Sequence, residues 1–519
     1  MAVTLLDTLV CATSAVLFIG IYFRRSAKSV ASPPYPPGPP GLPLLGNAFD
    51  IPHHSAWLDY KQWSRTYSSD VIHLSIVGTN VIVLNSLKSA IDLFDRRSTL
   101  YNDRPYMTML NDLIGWGWAM SFVPYGDRWR DMRRASHQQL SIDASKAHRD
   151  TQQKSARELL RRLLHNPEGF MEHLRHMAGR TIMRTAYGID ILPNEDPYIE
   201  IAEKSLQALS AATNAGAYLV DNIPFLKHIP EWFPGAHFQT EARIWRPTVF
   251  EMLHKPFNYV KSGMVEGQVH QSAATFLLDG MVKNSRDPEY MESVVRDTLG
   301  SMYAGGADTT VSALGSFFLA MILYPEIQKK ARQELDSLLS CDRLPEFSDR
   351  GSLPYIDAIV NESLRWHPVV PLDIPHRLTA DDIYEGYFMP AGSVIVANSW
   401  AILHDEEAYS EPYKFDPDRY FKDGVWDPSV RDPSVAAFGF GRRICPGRFM
   451  AKDSMWIAIA SILYCFEIAP TVGEDGKAIL PKEEYAAGLV SYPLPFKCII
   501  KPRSNSHTTL ISDTLHEEQ

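Results

Sequence analysis

The chain has 519 residues, 45% hydrophobic and 22% charged, a globular composition long enough to bury a large cofactor. Its formal net charge of −10 excludes a general nucleic-acid binder, which needs a basic footprint to neutralise phosphates. Five cysteines, Cys11, Cys341, Cys445, Cys465 and Cys498, form neither an even disulfide framework nor a pair of zinc-ligand spacing, so a reducing, cytosol-facing catalytic domain is expected.

An apolar run over residues 3–23, broken only by Asp7 and a few hydroxyl residues, is about one bilayer wide and is followed by Arg24, Arg25 and Lys28. Cations after the run and none before it predict a membrane anchor, residues 1–28 with the basic flank, whose C-terminal side faces the cytoplasm. A cleaved signal peptide would carry the opposite polarity. The prolines between Pro33 and Pro40 lack backbone donors and hold an extended spacer, so residues 29–45 are expected to form a Pro-rich hinge; the blander reading is a disordered linker. No internal repeat or second linker interrupts 46–502, which reads as one large domain, and the polar tail 503–519 is expected to be disordered.

Within that domain, residues 71–84 alternate and are rich in β-branched side chains, predicting two strands that turn at Gly78-Thr79-Asn80. Trp129 and Arg133, four apart, share one face of a helix. Helical periodicity marks 144–164, 291–323, 325–339 and 355–366, so the fold class is mainly α with a small β portion.

Inside the 291–323 helix lies Ala304-Gly305-Gly306-Ala307-Asp308-Thr309-Thr310. Two adjacent glycines cost helix stability, and an acid followed by two hydroxyls is unusual in an apolar stretch. Either the helix breaks there, or the small residues open a groove for a ligand while a Thr hydroxyl bonds back to a carbonyl. Further on, Glu362 and Arg365 stand within pairing reach on one helix face, a surface salt bridge on the bland reading. Pro375-His376-Arg377 follows, and then the segment 412–420, which contains Arg419.

The most specific stretch is Phe438-Gly439-Phe440-Gly441-Arg442-Arg443-Ile444-Cys445-Pro446-Gly447, ahead of a helical run over 448–463. A cysteine just before a helix has amide donors and the positive dipole end near its sulfur, so its thiolate is favoured and can ligate iron. The glycines let the backbone turn tightly and approach a flat ligand, and Arg443 can meet a carboxylate on that ligand. A structural cysteine in a glycine-rich turn is the bland alternative.

That ten-residue stretch meets every fixed position of FxxGxRxCxG, and the chain resembles the cytochrome P-450 superfamily, with the texture of fungal microsomal members that tailor secondary metabolites. Gly305 to Thr310 is similar to the family's acid–alcohol motif, and Glu362 and Arg365 to its ExxR pair, which Arg419 would join in a buried triad. The resemblance implies a single large haem domain binding haem b (iron protoporphyrin IX), with Cys445 as the axial ligand of the iron and Phe438 and Gly439 beside it. Arg443, Trp129, Arg133 and His376 would meet the propionates. Thr309 would hold a water or the oxygen being activated, and Asp308 would relay protons to it.

By the same resemblance the chain is a haem-thiolate monooxygenase that hydroxylates or epoxidises a hydrophobic small molecule: a terpenoid in the first place, or a polyketide or indole amine. Electrons would come from NADPH through a separate flavoprotein reductase, or a cytochrome b-type donor. The donor would dock on cations near the haem: Arg128, Arg130 and Arg134, and Arg442, Arg448 and Lys452. The expected location is the endoplasmic reticulum membrane, spanned once, with the catalytic domain in the cytosol. Substrate contacts are expected from 107–122, 206–220, 369–374 and 486–490, where Asp373 is the polar exception, bonding its own turn or meeting a polar group of the substrate. Two other readings stay open: a haem-thiolate isomerase, dehydratase or peroxygenase that needs no reductase, and a non-catalytic haem carrier or sensor.

Overall fold

In the computed structural model the described residues are 33–517, apart from 53, 214–215 and 284; the expected anchor and the start of the hinge lie outside them. The alternating stretch forms two antiparallel strands, β1 (Val71–Ile76) and β2 (Thr79–Leu84), registered from Val71 opposite Leu84 to Ile76 opposite Thr79. Their turn is at Val77 and Gly78, both at positive φ, one residue earlier than the spacing predicts. The longer helices that follow, among several short turns, are α1 (Asp127–Leu140), α2 (Arg149–His165), α3 (Phe170–Tyr187), α4 (Pro197–Thr213) and α5 (His237–Glu266). The helix predicted from 144 opens instead as a 3-10 turn, Ala144–His148, before α2 begins.

Next come α6 (Pro288–Leu323), α7 (Pro325–Leu339) and α8 (Pro354–Trp366), each opening on a proline where the missing N–H costs nothing. The short strands β3 (His376–Arg377) and β4 (Val394–Ala397) complete a sheet in the order β1-β2-β4-β3. Helix α9 (Arg448–Cys465) leads into a second sheet of β5 (Phe466–Val472), β6 (Ala478–Ile479) and β7 (Cys498–Pro502), with β5 in the middle. The described residues are thus mainly helical, with little strand.

The later half of α6, residues 311–322, and most of α9, residues 453–465, are buried on every side, as mainly apolar helices must be. They form the centre of the core, where Leu314 and Phe317 of α6 pack in one cluster with Leu160 of α2 and with Trp456, Ile459 and Leu463 of α9. By length and composition α6 is apolar enough to cross a membrane, but most of it is buried inside the protein, as befits a core helix. It runs unbroken through Gly305 and Gly306, so the alternative of a helix break is overturned.

The tail is corrected too. Asn505–Glu517 forms a helix, α10, that buries Ile511, while Thr514 accepts a 2.7 Å hydrogen bond from Arg161. Its polar composition hid this, because two of its docking side chains, His507 and Thr514, are polar ones whose partners lie far away in sequence.

The ExxR pair is no surface salt bridge. Glu362 and Arg365 are fully buried and joined at 2.7 and 2.8 Å, and Arg419 reaches the same carboxylate at 3.1 Å. The backbone N–H of Asp416 donates to Glu362 at 2.8 Å, and the carbonyls of Leu403, Pro412 and Lys414 accept from Arg365. These bonds fix α8 to the segment that precedes the cysteine loop.

Candidate active site

The loop 438–447 is held in shape by its own backbone. The Cys445 N–H donates to the Phe438 carbonyl at 2.8 Å and the Ile444 N–H to that of Gly441 at 3.2 Å. Gly441 lies at φ +56, and a Cβ there would overlap the Phe94 carbonyl, so conformation and space both demand glycine. Cys445 therefore sits one turn ahead of α9 with its thiol in the interior. Burial pushes that thiol up; the amides of Gly447 and Arg448 and the guanidiniums of Arg133 and Arg448 pull it down.

A cavity of about 310 Å³ separates this loop from α6. Phe438, Gly439 and Cys445 line one side, and Gly305, Gly306, Thr309 and Thr310 the other; Met177, Ile182, Met302, Val369, Val370 and Ile374 make much of the wall apolar. The two glycines serve different ends. A Cβ on Gly305 would meet nothing within 4 Å, whereas one on Gly306 would lie 2.7 Å from Cγ1 of Ile182, so Gly306 lets α3 approach α6. Thr309 donates its hydroxyl to the Gly305 carbonyl at 2.7 Å, the back-bond expected of it.

Asp308 does not share that cavity. One residue turns a helix by about 100°, and the carboxyl instead lines a cleft of about 10 Å³ together with Arg175, Glu203 and Tyr303. Arg175 and Glu203 pair at 3.2 Å. Burial pushes the Asp308 carboxyl up, while the Tyr492 hydroxyl and Arg175 oppose that shift.

Cationic and aromatic groups gather at one edge of the cavity. Arg443 lies 4.6 Å over the Trp129 ring and donates to the carbonyls of Asn102, Met120 and Val123. Arg133, on α1 with Trp129, donates at 2.6 Å to the carbonyl of Ile444, next to the cysteine. His376 shares its Nδ1 with the Tyr101 carbonyl at 2.7 Å, and burial, then Arg104 and Arg443, hold its pKa well below the ordinary value. A neutral His376 with its proton on Nδ1 presents an acceptor at Nε2, so it would meet a carboxylate only on becoming charged.

Arg104 belongs to this edge, and sequence reasoning missed it. It lines the cavity, is buried, bonds the carbonyls of Ile374 and Pro375, and leaves its Nε without a partner. No motif spacing marks it; an arginine just ahead of an apolar stretch was the one available signal.

These residues fit a flat, iron-bearing ligand with carboxylate arms. Among the described residues no group of three or more His, Cys, Asp or Glu side chains is placed to hold a bare metal ion, so iron on Cys445 must bring its other ligands with it. The close guanidiniums of Arg104 and Arg443 disfavour each other's charge, and the orphaned Nε of Arg104 awaits an acceptor. Two carboxylates would relieve both.

Of the other expected contributors, 369–374 supplies Val369, Val370, Asp373 and Ile374 to the wall, and 107–122 only Met120 and Ser121; neither 206–220 nor 486–490 lines this cavity. Burial pushes the Asp373 carboxyl up to about 8, against the Ser399 hydroxyl and Arg104. Among the six cations expected to form a docking face, Arg128 pairs with Asp297 at 2.5 Å, Arg130 with Asp127, Arg134 with Asp131 at 2.8 Å, and Lys452 approaches Asp432 at 3.8 Å. Arg442 and Arg448 have no carboxylate partner among the described residues, so that face is less cationic than its sequence suggests.

A family model described as Cytochrome P-450 matches residues 36–500. A cytochrome P-450 monooxygenase of Armillaria gallica is 42% identical, covering 96% of this chain and 97% of its own length. Cytochrome P-450 monooxygenase 98 of Postia placenta is 43% identical over 95% of this chain and 94% of its own, and a tryptamine 4-monooxygenase of Psilocybe cyanescens 40% identical over 89% and 91%.

Proposed function

Because the chain belongs to the cytochrome P-450 family and is a monooxygenase of that family, we propose that it oxidises a hydrophobic secondary metabolite at a haem b held by Cys445. In this reading the electrons come from NADPH through a separate flavoprotein reductase. The observation that carries the proposal is the Cys445 thiol facing, across a largely apolar cavity, the Gly305–Thr310 stretch of α6. Bound there, haem supplies the reductive activation of O2, one atom entering the substrate and the other leaving as water.

The protein's share is binding, orientation and proton supply. Arg443, Arg133 and Arg104 would hold the carboxylates of a bound haem, Trp129 stacks under Arg443, and Phe438 and Gly439 line the cavity beside the sulfur. Thr309, whose hydroxyl hydrogen is committed to Gly305, offers its lone pairs to a water in the cavity. Asp308 collects protons from the cleft that it lines with Arg175 and Glu203. The apolar wall selects the ligand, a terpenoid first; the likeness to a tryptamine 4-monooxygenase keeps an indole amine among the classes to test, with Asp373 as its polar contact.

Attachment to a membrane is part of the same proposal. Phe49, Phe225 and Trp232 are 77%, 76% and 80% exposed. Exposed aromatic rings suit the headgroup region of a bilayer, and the apolar run at 3–23 in the sequence supports the same reading.

The test is the CO-difference spectrum of the reduced protein, followed by titration with terpenoid, polyketide and indole-amine ligands. Native protein should show the thiolate-type band, Cys445→His should lose it, and one ligand class should drive the ferric iron to high spin. Retention of the band in Cys445→His would remove the ligand assignment. Product formation that needs no NADPH would replace the reductase-dependent reading.

A further inference from the structure

A nucleophile and a base meet far from the cavity, at the root of α10. Cys341 follows α7 at φ +60, held there by a 2.9 Å hydrogen bond from its N–H to the Tyr464 hydroxyl. Its Sγ lies 3.6 Å from Nε2 of His507, and Nδ1 of His507 lies 2.8 Å from the Ser504 hydroxyl. The imidazole is buried and packs edge-on against the Tyr464 ring at 5.0 Å, while Cys341 is exposed. With Ser504 accepting from Nδ1–H, Nε2 turns its lone pair to the thiol. That is the geometry of an activated cysteine: a nucleophile, a base within reach, and a third group that orients the base.

The other described cysteines lack this setting. Cys465 is buried, burial pushes the half-buried Cys498 thiol up to about 12, and Cys445 lies inside the cavity. Burial, then Arg503, hold the His507 pKa below its ordinary value, so the resting ring is neutral and its Nε2 lone pair stays available to the thiol.

We propose that Cys341 is a modification site that exchanges with low-molecular-weight disulfides, with His507 as its base. The thiol proton passes to Nε2 of His507, and the sulfur attacks one sulfur of the disulfide. A protein–small-molecule S–S bond forms, the original S–S bond breaks, and the leaving thiolate takes the proton back from His507. The disulfide is the oxidant, and no other is needed. Because His507 belongs to α10, an adduct on Cys341 crowds the contact by which that helix docks. The proposal rests on no part of the monooxygenase reading.

Full-length protein in detergent is incubated with glutathione disulfide across a pH series and its cysteines are mapped by peptide mass spectrometry. The expected result is a mixed disulfide at Cys341, forming at pH 7 at least about fivefold faster than on free cysteine. Amide hydrogen exchange over 505–517 should rise in the adduct. His507→Gln should bring the rate down to that of free cysteine. Reaction at Cys498 instead, a rate at Cys341 no greater than free cysteine's, or an unchanged rate in His507→Gln would each overturn the proposal. Should His507→Gln fail to fold, the native pH–rate profile decides: a rate that rises only with the ionisation of an ordinary thiol removes the imidazole from the step.

Discussion

Gly305→Ala and Gly306→Ala should change stability in opposite directions although the residues are neighbours in one helix. Each replaces glycine by alanine in a helix interior, a gain of about 0.8–1 kcal/mol. At Gly305 nothing lies within 4 Å of the new Cβ, so that gain is kept. At Gly306 the Cβ would stand 2.7, 2.8 and 3.0 Å from Cγ1, Cδ1 and Cβ of Ile182, where ordinary carbon contacts need about 3.5–4.0 Å. Ile182 is β-branched, buried and fixed in α3, so it has little freedom to rotate away, and overpacking of this kind costs about 1–3 kcal/mol. The two variants should therefore differ by about 1–3 kcal/mol in urea unfolding followed by far-ultraviolet circular dichroism. Ile182→Ala removes the obstacle, so a double-mutant cycle with Gly306→Ala should show favourable coupling. Equal stability of the two glycine variants, or a cycle with no coupling, would refute the idea that Gly306 exists for the approach of α3. The functional sign is reversed: Gly305→Ala, which puts a methyl into the cavity, should weaken ligand-induced spectral shifts.

Glu362→Gln strips the charge from the buried triad and leaves Arg365 unpaired, which should cost about 3–5 kcal/mol of unfolding free energy; a change under about 1 kcal/mol would mean that the carbonyls around Arg365 suffice. Asp221 accepts the Met109 N–H at 2.8 Å, and burial raises its carboxyl to about 6. With a folded pKa above the unfolded value near 3.9, its contribution is fully present below about pH 4 and is lost as pH rises through 6. Asp221→Asn, which keeps an acceptor, should therefore gain stability relative to the native chain between pH 4.5 and 8, by about 2 kcal/mol in denaturant titrations at the two pH values; a gain that does not depend on pH would contradict the assignment. Arg104→Leu should speed transfer of haem to an apoglobin acceptor while circular dichroism stays native, and an unchanged rate would remove Arg104 from the cofactor edge.

The parts of the site that sequence disclosed are those whose physical demands are local. At Gly441 a positive φ and a close backbone approach both require glycine, so the loop around Cys445 declares itself. Glu362 and Arg365 are legible because helix periodicity puts them on one face, and Trp129 and Arg133 likewise. Arg104 was hidden because its burial depends on Ile374 and Pro375, which the chain brings back 270 and 271 residues later. The cations of the expected docking face were overcounted for a similar reason: the partner of Arg128 is Asp297, on a different helix. The docking of α10 was invisible because polar side chains do much of it.

The acid–alcohol pair gives the clearest case of what linear order conceals. Because adjacent helical residues point about 100° apart, an acid next to a hydroxyl cannot put both groups on one face of α6. Thr309 faces the apolar cavity of about 310 Å³, and Asp308 a cleft of about 10 Å³, near the lower limit for one water by this measure. Under the proposed function that division answers two opposed needs. Water filling the cavity freely would compete with an apolar ligand, yet protons must still arrive. Asp308 is turned toward Arg175 and Glu203 and Thr309 toward the cavity, and burial raises the Asp308 carboxyl, which favours its protonated form more than in an isolated surface acid. Gly305, with no heavy atom within 4 Å of where its Cβ would stand, lies one turn before Thr309 and accepts its hydrogen bond. Its openness, costly to helix stability, leaves room in the cavity beside that hydroxyl.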